Sequence, residues 1–282
     1  MTTRTDTRRS GRSPRPDAAE PPVPGFGATT ASEWAKLWSV RSTYVLFAVM
    51  VLLTIGISSV MAFFGSAGDL AREQEEGIYN VIFFGATLGV WVFTYVGANV
   101  VATEYTAKVG EYTFVATPRR GRVLAAKMLI IAATGLACGL VISLANVALS
   151  QSALATAGYQ TLDLTDPGLW RSMLMFIPLS MCVQGVLGGL VAVLVRNAFG
   201  ALAIVALGIN ALPITLAQFL GEAYRTTVPR LMPGAAVESA SGLSTPTSDG
   251  YLPTAVALVV IAVWLTAAWA LAHRKLVRSD TR

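Results

Sequence analysis

Six stretches of the chain carry no Asp, Glu, Lys or Arg: residues 44–64, 80–102, 128–149, 172–195, 198–220 and 251–272. Each is 21 to 24 residues long, and about 20 apolar residues cross about 30 Å of hydrocarbon as a helix. At that depth backbone polar groups find no water, so each run predicts a helix that closes its own hydrogen bonds. The expected fold is an all-α integral membrane protein with six transmembrane helices. Before the first run, Thr30 to Arg41 reads as a short amphipathic helix. Trp34, Leu37 and Trp38 share one face, while Glu33, Lys36 and Arg41 reach towards lipid headgroups. Thr30 and Glu33 have the spacing of a capping box. This segment is either an elbow along the membrane surface or a simple aromatic and basic anchor. Residues 1–28, rich in Arg, Pro, Ser and Thr, predict a disordered tail, which leaves 29–282 as the six-helix domain. The Arg8-Arg9 pair lies too far ahead of an over-long apolar run to read as a cleaved export signal.

Composition agrees with the pattern. Of 282 residues, 54% are hydrophobic and 13% charged, about half the charged share of a soluble domain. The net charge of +5 is explained by where the basic residues fall, without invoking nucleic acid. Seven precede residue 44, five lie in 103–127, one is Arg196 and four follow residue 272, making 17 on one side against 4 on the other. That asymmetry predicts both termini in the cytoplasm of a multi-pass protein. Arg outnumbers Lys 17 to 4, as in a GC-rich bacterial genome, and the predicted location is the bacterial cell membrane. Nine of the 16 acidic residues fall in the external segments.

Several chemistries are excluded. One histidine, His273, cannot supply bis-histidine haem ligation or an H-E-x-x-H metal site. Cys138 and Cys182 lie inside apolar runs and read as small buried side chains. No metal or cofactor site is expected. No Gly-Lys dipeptide occurs, so a P-loop is absent and any nucleotide chemistry belongs to another chain. An integral-membrane enzyme would require an intramembrane Asp pair, a His cluster or a serine with a basic partner.

The segment 103–127 between the second and third runs is long for a minimal connection. Glu104 and Glu111 lie near the membrane exit, Gly110 permits a turn, and Thr117-Pro118 is followed by Arg119, Arg120, Arg122 and Lys127. It reads either as a short helix for a soluble partner to grip or as a loop whose arginines only fix orientation.

Here the order of motifs resembles the permease subunits of ABC-2 type transporters. The segments S-E-W-A-K-L-W-S-V-R-S-T, E-Y-T-A-K-V-G-E-Y-T and T-P-R-R-G-R-V-L-A-A-K, with six spans and a long external segment before the last, carry the likeness over about residues 29–275. The family's usual Gly-Thr stands here as Gly110-Glu111, with Thr113 two places later. The resemblance implies a homodimer, or a pair with a related permease, docked on two separate ATP-binding subunits that hold ATP-Mg. The permease itself would catalyse no bond chemistry. It also implies a coupling helix in the first inner loop, which carries over to Glu104, Gly110, Glu111, Thr113, Pro118, Arg119, Arg120 and Arg122. Residues 221–250 would then form short external helices dipping into the outer leaflet; an ordinary surface loop is the other reading.

Uncharged spans argue against ion coupling, because transporters that harvest ion gradients keep charged groups in the membrane. An ion-coupled secondary transporter and a non-transporting sensor or immunity protein remain the rival readings. Asn99, Asn146, Gln184, Asn210 and Gln218 are intramembrane amides that either line a route or bond helix to helix. Gly85/Gly89, Gly135/Gly139 and Gly185/Gly189 permit close helix contact, and Pro178 and Pro213 predict kinks.

Overall fold

The computed structural model describes residues 25–65, 67–76, 79, 81–106 and 120–278, and among them every regular element is helical. Six helices are long and apolar enough to cross a membrane: Arg41–Phe64, Ala86–Glu104, Gly121–Ala157, Pro167–Val195, Ala198–Ala217 and Thr254–Val277. We label the elements α1 (Phe26–Ser39), α2 (Arg41–Val60, continued by a π-helical turn Met61–Gly65), α3 (Ala67–Glu76), α4 (Ala86–Thr106), α5 (Arg120–Ala157) and α6 (Pro167–Val195). There follow α7 (Ala198–Ala217), α8 (Glu222–Arg225), α9 (Pro233–Ser241) and α10 (Thr254–Arg278).

The most hydrophobic stretch of α6 is 78% buried, against 22% for α2 and α7 and 17% for α10. So α6 is the axis and the others are arranged around it. Their outward faces carry Leu52, Val141, Phe199 and Val259, all exposed. Such an apolar surface is stable only against lipid or another protein.

Small residues set the spacing around the axis. A Cβ on Gly97 of α4 would collide with the Gly185 carbonyl of α6, and one on Gly188 with the Thr94 carbonyl. Gly135 and Gly139 of α5 sit on the α6 backbone at Met181–Cys182 and Ile177–Pro178. Gly85 and Gly89 sit on α2 at Thr54 and Ser58. All three glycine pairs are therefore used within the chain, where backbone contact replaces the missing hydrophobic drive between helices in lipid.

Several boundaries differ from expectation. The first helix starts at Phe26, ahead of Thr30, so the last residues of the expected tail are helical. Gly25 is its N-cap, and Thr30 donates its hydroxyl to Phe26 O at 2.9 Å from inside the helix, so the capping box is not formed. The second span begins at Ala86 instead of 80. Gly85 N donates to Ser58 Oγ at 3.2 Å, which diverts a backbone donor out of the helical ladder, and Val81–Phe83 form only a 3-10 turn. In contrast, α5 extends well beyond 128–149 at both ends, because an apolar window measures hydrocarbon and not helix length. Pro167 occupies the first turn of α6, where its missing N–H costs nothing, and Asp166 caps that turn through Gly168 N at 2.8 Å. The helix continues through Pro178 without interruption. Pro213 follows a nine-residue π-helical stretch, Ala203–Ala211, so the expected break is a widened helix.

Contacts between the helix ends define two poles. At one pole lie α1, the end of α4, the start of α5 and the ends of α6 and α10; Lys275 donates to Leu194 O there, and His273 lies beside Gly121. This pole carries Lys36, Arg41, Arg122, Lys127, Arg196, Arg274 and Lys275. At the opposite pole Tyr79 donates to Asp166, and Gln151 bonds both the N–H and the carbonyl of Leu162.

Candidate functional site

The basic pole holds a group of four charges, two of them buried and Lys36 exposed at its edge. Glu33 of α1 and Lys127 of α5 have side chains only 4% exposed, and they bond each other directly. Lys127 Nζ also lies 2.9 Å from Glu104 Oε1 at the end of α4. Lys36, one turn after Glu33, bonds its other oxygen at 2.5 Å and lies 3.8 Å from Glu104. Two carboxylates and two ammonium groups thus neutralise one another. Removing either partner of such a pair leaves an uncompensated buried charge, which costs about 3–5 kcal/mol. Burial pushes the Glu33 carboxyl up, but the attraction and hydrogen bonds of Lys127 and Lys36 outweigh it and hold the group below its ordinary value.

This geometry corrects the reading of α1. Glu33 points inward with Thr29 and Leu37, at i, i+4 and i+8, whereas Trp34 is exposed. The polar residue expected at the headgroups is the one that attaches the helix to the bundle. Trp38 packs on Trp34, Tyr44 and Phe47 at 5.6, 5.7 and 5.3 Å between ring centres, joining α1 to the start of α2. Arg41 is exposed at the start of α2. Lys127, expected in a loop cluster, is inside α5 and is the centre of the ion group. Its partner Glu33 is 94 residues away, and helix spacing alone carries no signal for such a pairing.

Of the expected loop residues, Glu104 closes α4 and takes part in the ion group. The backbones of Arg120 and Arg122 open α5. Gly110, Glu111, Thr113, Pro118 and Arg119 lie outside the described residues. The undescribed stretch 107–119 is therefore flanked on both sides by helices held to α1 through the same ion group.

A second polar site lies nearer the other pole. Asn210, in the π-helical part of α7, donates to Val205 O at 2.7 Å and exchanges hydrogen bonds of 3.0 and 3.2 Å with Gln184 of α6. Its Oδ1 also accepts from Gly234 N of α9 at 3.0 Å. The Asn210 amide thus donates to a carbonyl of its own π-helical turn and accepts from Gln184 and from α9. The segment 229–241 runs back alongside the bundle. Trp264 Nε1 donates to Leu231 O at 2.8 Å, and ten residues separate Trp264 from the start of α10, or about 15 Å of helix. At its other end Arg171 binds the Ala240 carbonyl through Nη2 at 2.9 Å and Thr254 Oγ1 at 2.7 Å, a cation placed where a helix presents free carbonyls. Residues 222–241 thus form short helices returned against the spans rather than an open surface loop.

The other amides behave differently. Asn146 is buried on α5 with neither side-chain atom bonded. Asn99 is half-buried on α4, and Gln218 is exposed just past α7. Only Gln184 and Asn210 meet. They line a cavity of about 350 Å³ with Trp91, Phe176, Ile214 and Glu238. Sequence position assigned Glu238 to an external segment. Its helix α9 brings it instead to the cavity wall, so the absence of charge from the spans does not mean the absence of charge from the bundle. Among the described residues no cluster of three or more His, Cys, Asp or Glu is placed to hold a metal ion.

No family model, curated protein or solved structure matches this chain.

Proposed function

We propose that the chain is the membrane subunit of a nucleotide-driven exporter in a bacterial cell membrane, of the kind the ABC-2 resemblance implies. Two copies work with two separate ATP-binding subunits, and both termini lie in the cytoplasm. The observation that carries this reading is the ion group of Glu33, Lys36, Glu104 and Lys127. A subunit gripping 107–119 pulls on the end of α4 and the start of α5, and both are tied by buried charge to α1. In a low-dielectric setting these attractions resist separation, so the loop, α1 and the two spans move together. Helix α1 lies along the inner membrane surface in this account, and α9 dips into the outer leaflet.

The test is co-expression with a candidate ATP-binding cassette subunit from the same cell. Arg119→Glu/Arg120→Glu abolishes co-purification while membrane insertion and melting temperature stay at wild-type values. Retained association in that variant contradicts the assignment.

One observation favours a second reading, an ion-coupled transporter: the Glu238 carboxyl faces the cavity beside two amides. Gradient-driven flux through liposomes containing the chain alone supports that rival.

A further inference from the structure

Glu238 lines an open cleft between α9 and the long helices. It lines the 350 Å³ cavity and also a neighbouring one of about 500 Å³, and the two share Thr87 and Phe176 as well. Glu238 is exposed at this opening, and the protein packed on one side of it desolvates the carboxyl and pushes its pKa up. Among the described residues no ion pair or side-chain hydrogen bond holds it. Arg171 of α6, which meets the end of α9, is engaged with the Ser239 and Ala240 carbonyls and with Thr254. Aromatic faces border both spaces: Trp91 and Phe176 in the first, Phe83, Phe84 and Phe176 in the second. Gln184 and Asn210 are occupied with each other and with backbone groups, so they leave the carboxylate as the principal charged contact.

We propose that these joined cavities bind an amphiphilic monocation, a single positive nitrogen centre carried on an apolar, partly aromatic body. The carboxylate supplies the countercharge and the aromatic walls supply both apolar area and cation–π attraction. Cavities of this size suit a small-molecule ligand. A neutral apolar ligand would leave the carboxyl unpaired, and an anion would be repelled. Binding of this kind does not depend on how transport is powered, so it stands or falls separately from the ATP-driven reading.

Rhodamine 6G, an apolar monocation, and its zwitterionic relative rhodamine B serve as probes. The purified full chain is placed in phosphatidylcholine nanodiscs without any ATP-binding subunit, and fluorescence polarisation is recorded. Wild type binds the cation at least about tenfold more tightly than the zwitterion, the scale of one charge-assisted contact. Glu238→Gln removes that preference. Ala235→Trp, which fills the first cavity while keeping the carboxylate, lowers affinity for the cation by about tenfold or more. Equal binding of the two dyes by wild type overturns the proposal, as does unchanged preference in Glu238→Gln. If Glu238→Gln is not recovered folded, unchanged cation binding by monodisperse Ala235→Trp overturns it equally.

Discussion

Lys127 is an almost fully buried ammonium held by two carboxylates from different helices. Lys127→Met leaves Glu33 and Glu104 with only the more exposed Lys36 as a counterion. It is expected to destabilise the bundle by about 3–5 kcal/mol, read as a fall in melting temperature in detergent. Glu33→Gln combined with Lys127→Met costs less than the two single changes added together, because the second change removes the charge that the first exposed. The pH dependence has a definite sign. The folded carboxyl of Glu33 titrates below its ordinary value of 4.5, so the stability it contributes is complete above that value. It is lost as pH falls through the depressed folded pKa. Thermal melts between neutral pH and pH ~3 record that loss in wild type, with a smaller acid-dependent fall in Glu33→Gln. At this scale the sequence is least informative. Glu33, Glu104 and Lys127 are each visible as charges near apolar runs, but a pairing across 94 residues depends on how three helices dock.

Among the elements, glycines separate close contacts from open faces. Gly188 of α6 lies against the Thr94 carbonyl, whereas Gly56 of α2 has nothing within 4 Å of where a Cβ would stand. Gly188→Ala is therefore expected to cost about 1–3 kcal/mol by forcing two backbones apart. Gly56→Ala is neutral or stabilising by up to about 1 kcal/mol through helix propensity. Similar losses in both variants would contradict the packing described. The returned segment 229–241 hangs partly on Asn210. Asn210→Val is expected to raise amide exchange across α9 while α5 keeps its protection, and unchanged exchange in α9 would show that the amide does not hold it. Charge-free runs locate the six long helices well because lipid imposes one rule on all of them. Their ends are less legible: Ser58 captures the Gly85 N–H, and Asp166 with Pro167 starts α6 ahead of Arg171. Each is a local bond that hydropathy does not register. The placement of Glu238 escaped a span-by-span reading for a related reason, since a short helix outside the long runs turns back beside them.

Across the whole molecule, the buried helix α6 joins the two poles. In the proposed exporter, force entering at 107–119 would pass through α4 and α5 towards the cavity near Gln184 and Asn210, since both helices pack along α6. The axis is closely packed where backbones meet at glycine. The most direct test of an external, nucleotide-driven power source is ATP hydrolysis by the ATP-binding subunit titrated onto nanodiscs that contain this chain. The account predicts saturable stimulation that levels off at equal numbers of the two subunits and disappears with Arg119→Glu/Arg120→Glu. A hydrolysis rate per ATP-binding subunit that is the same with and without this chain would contradict it.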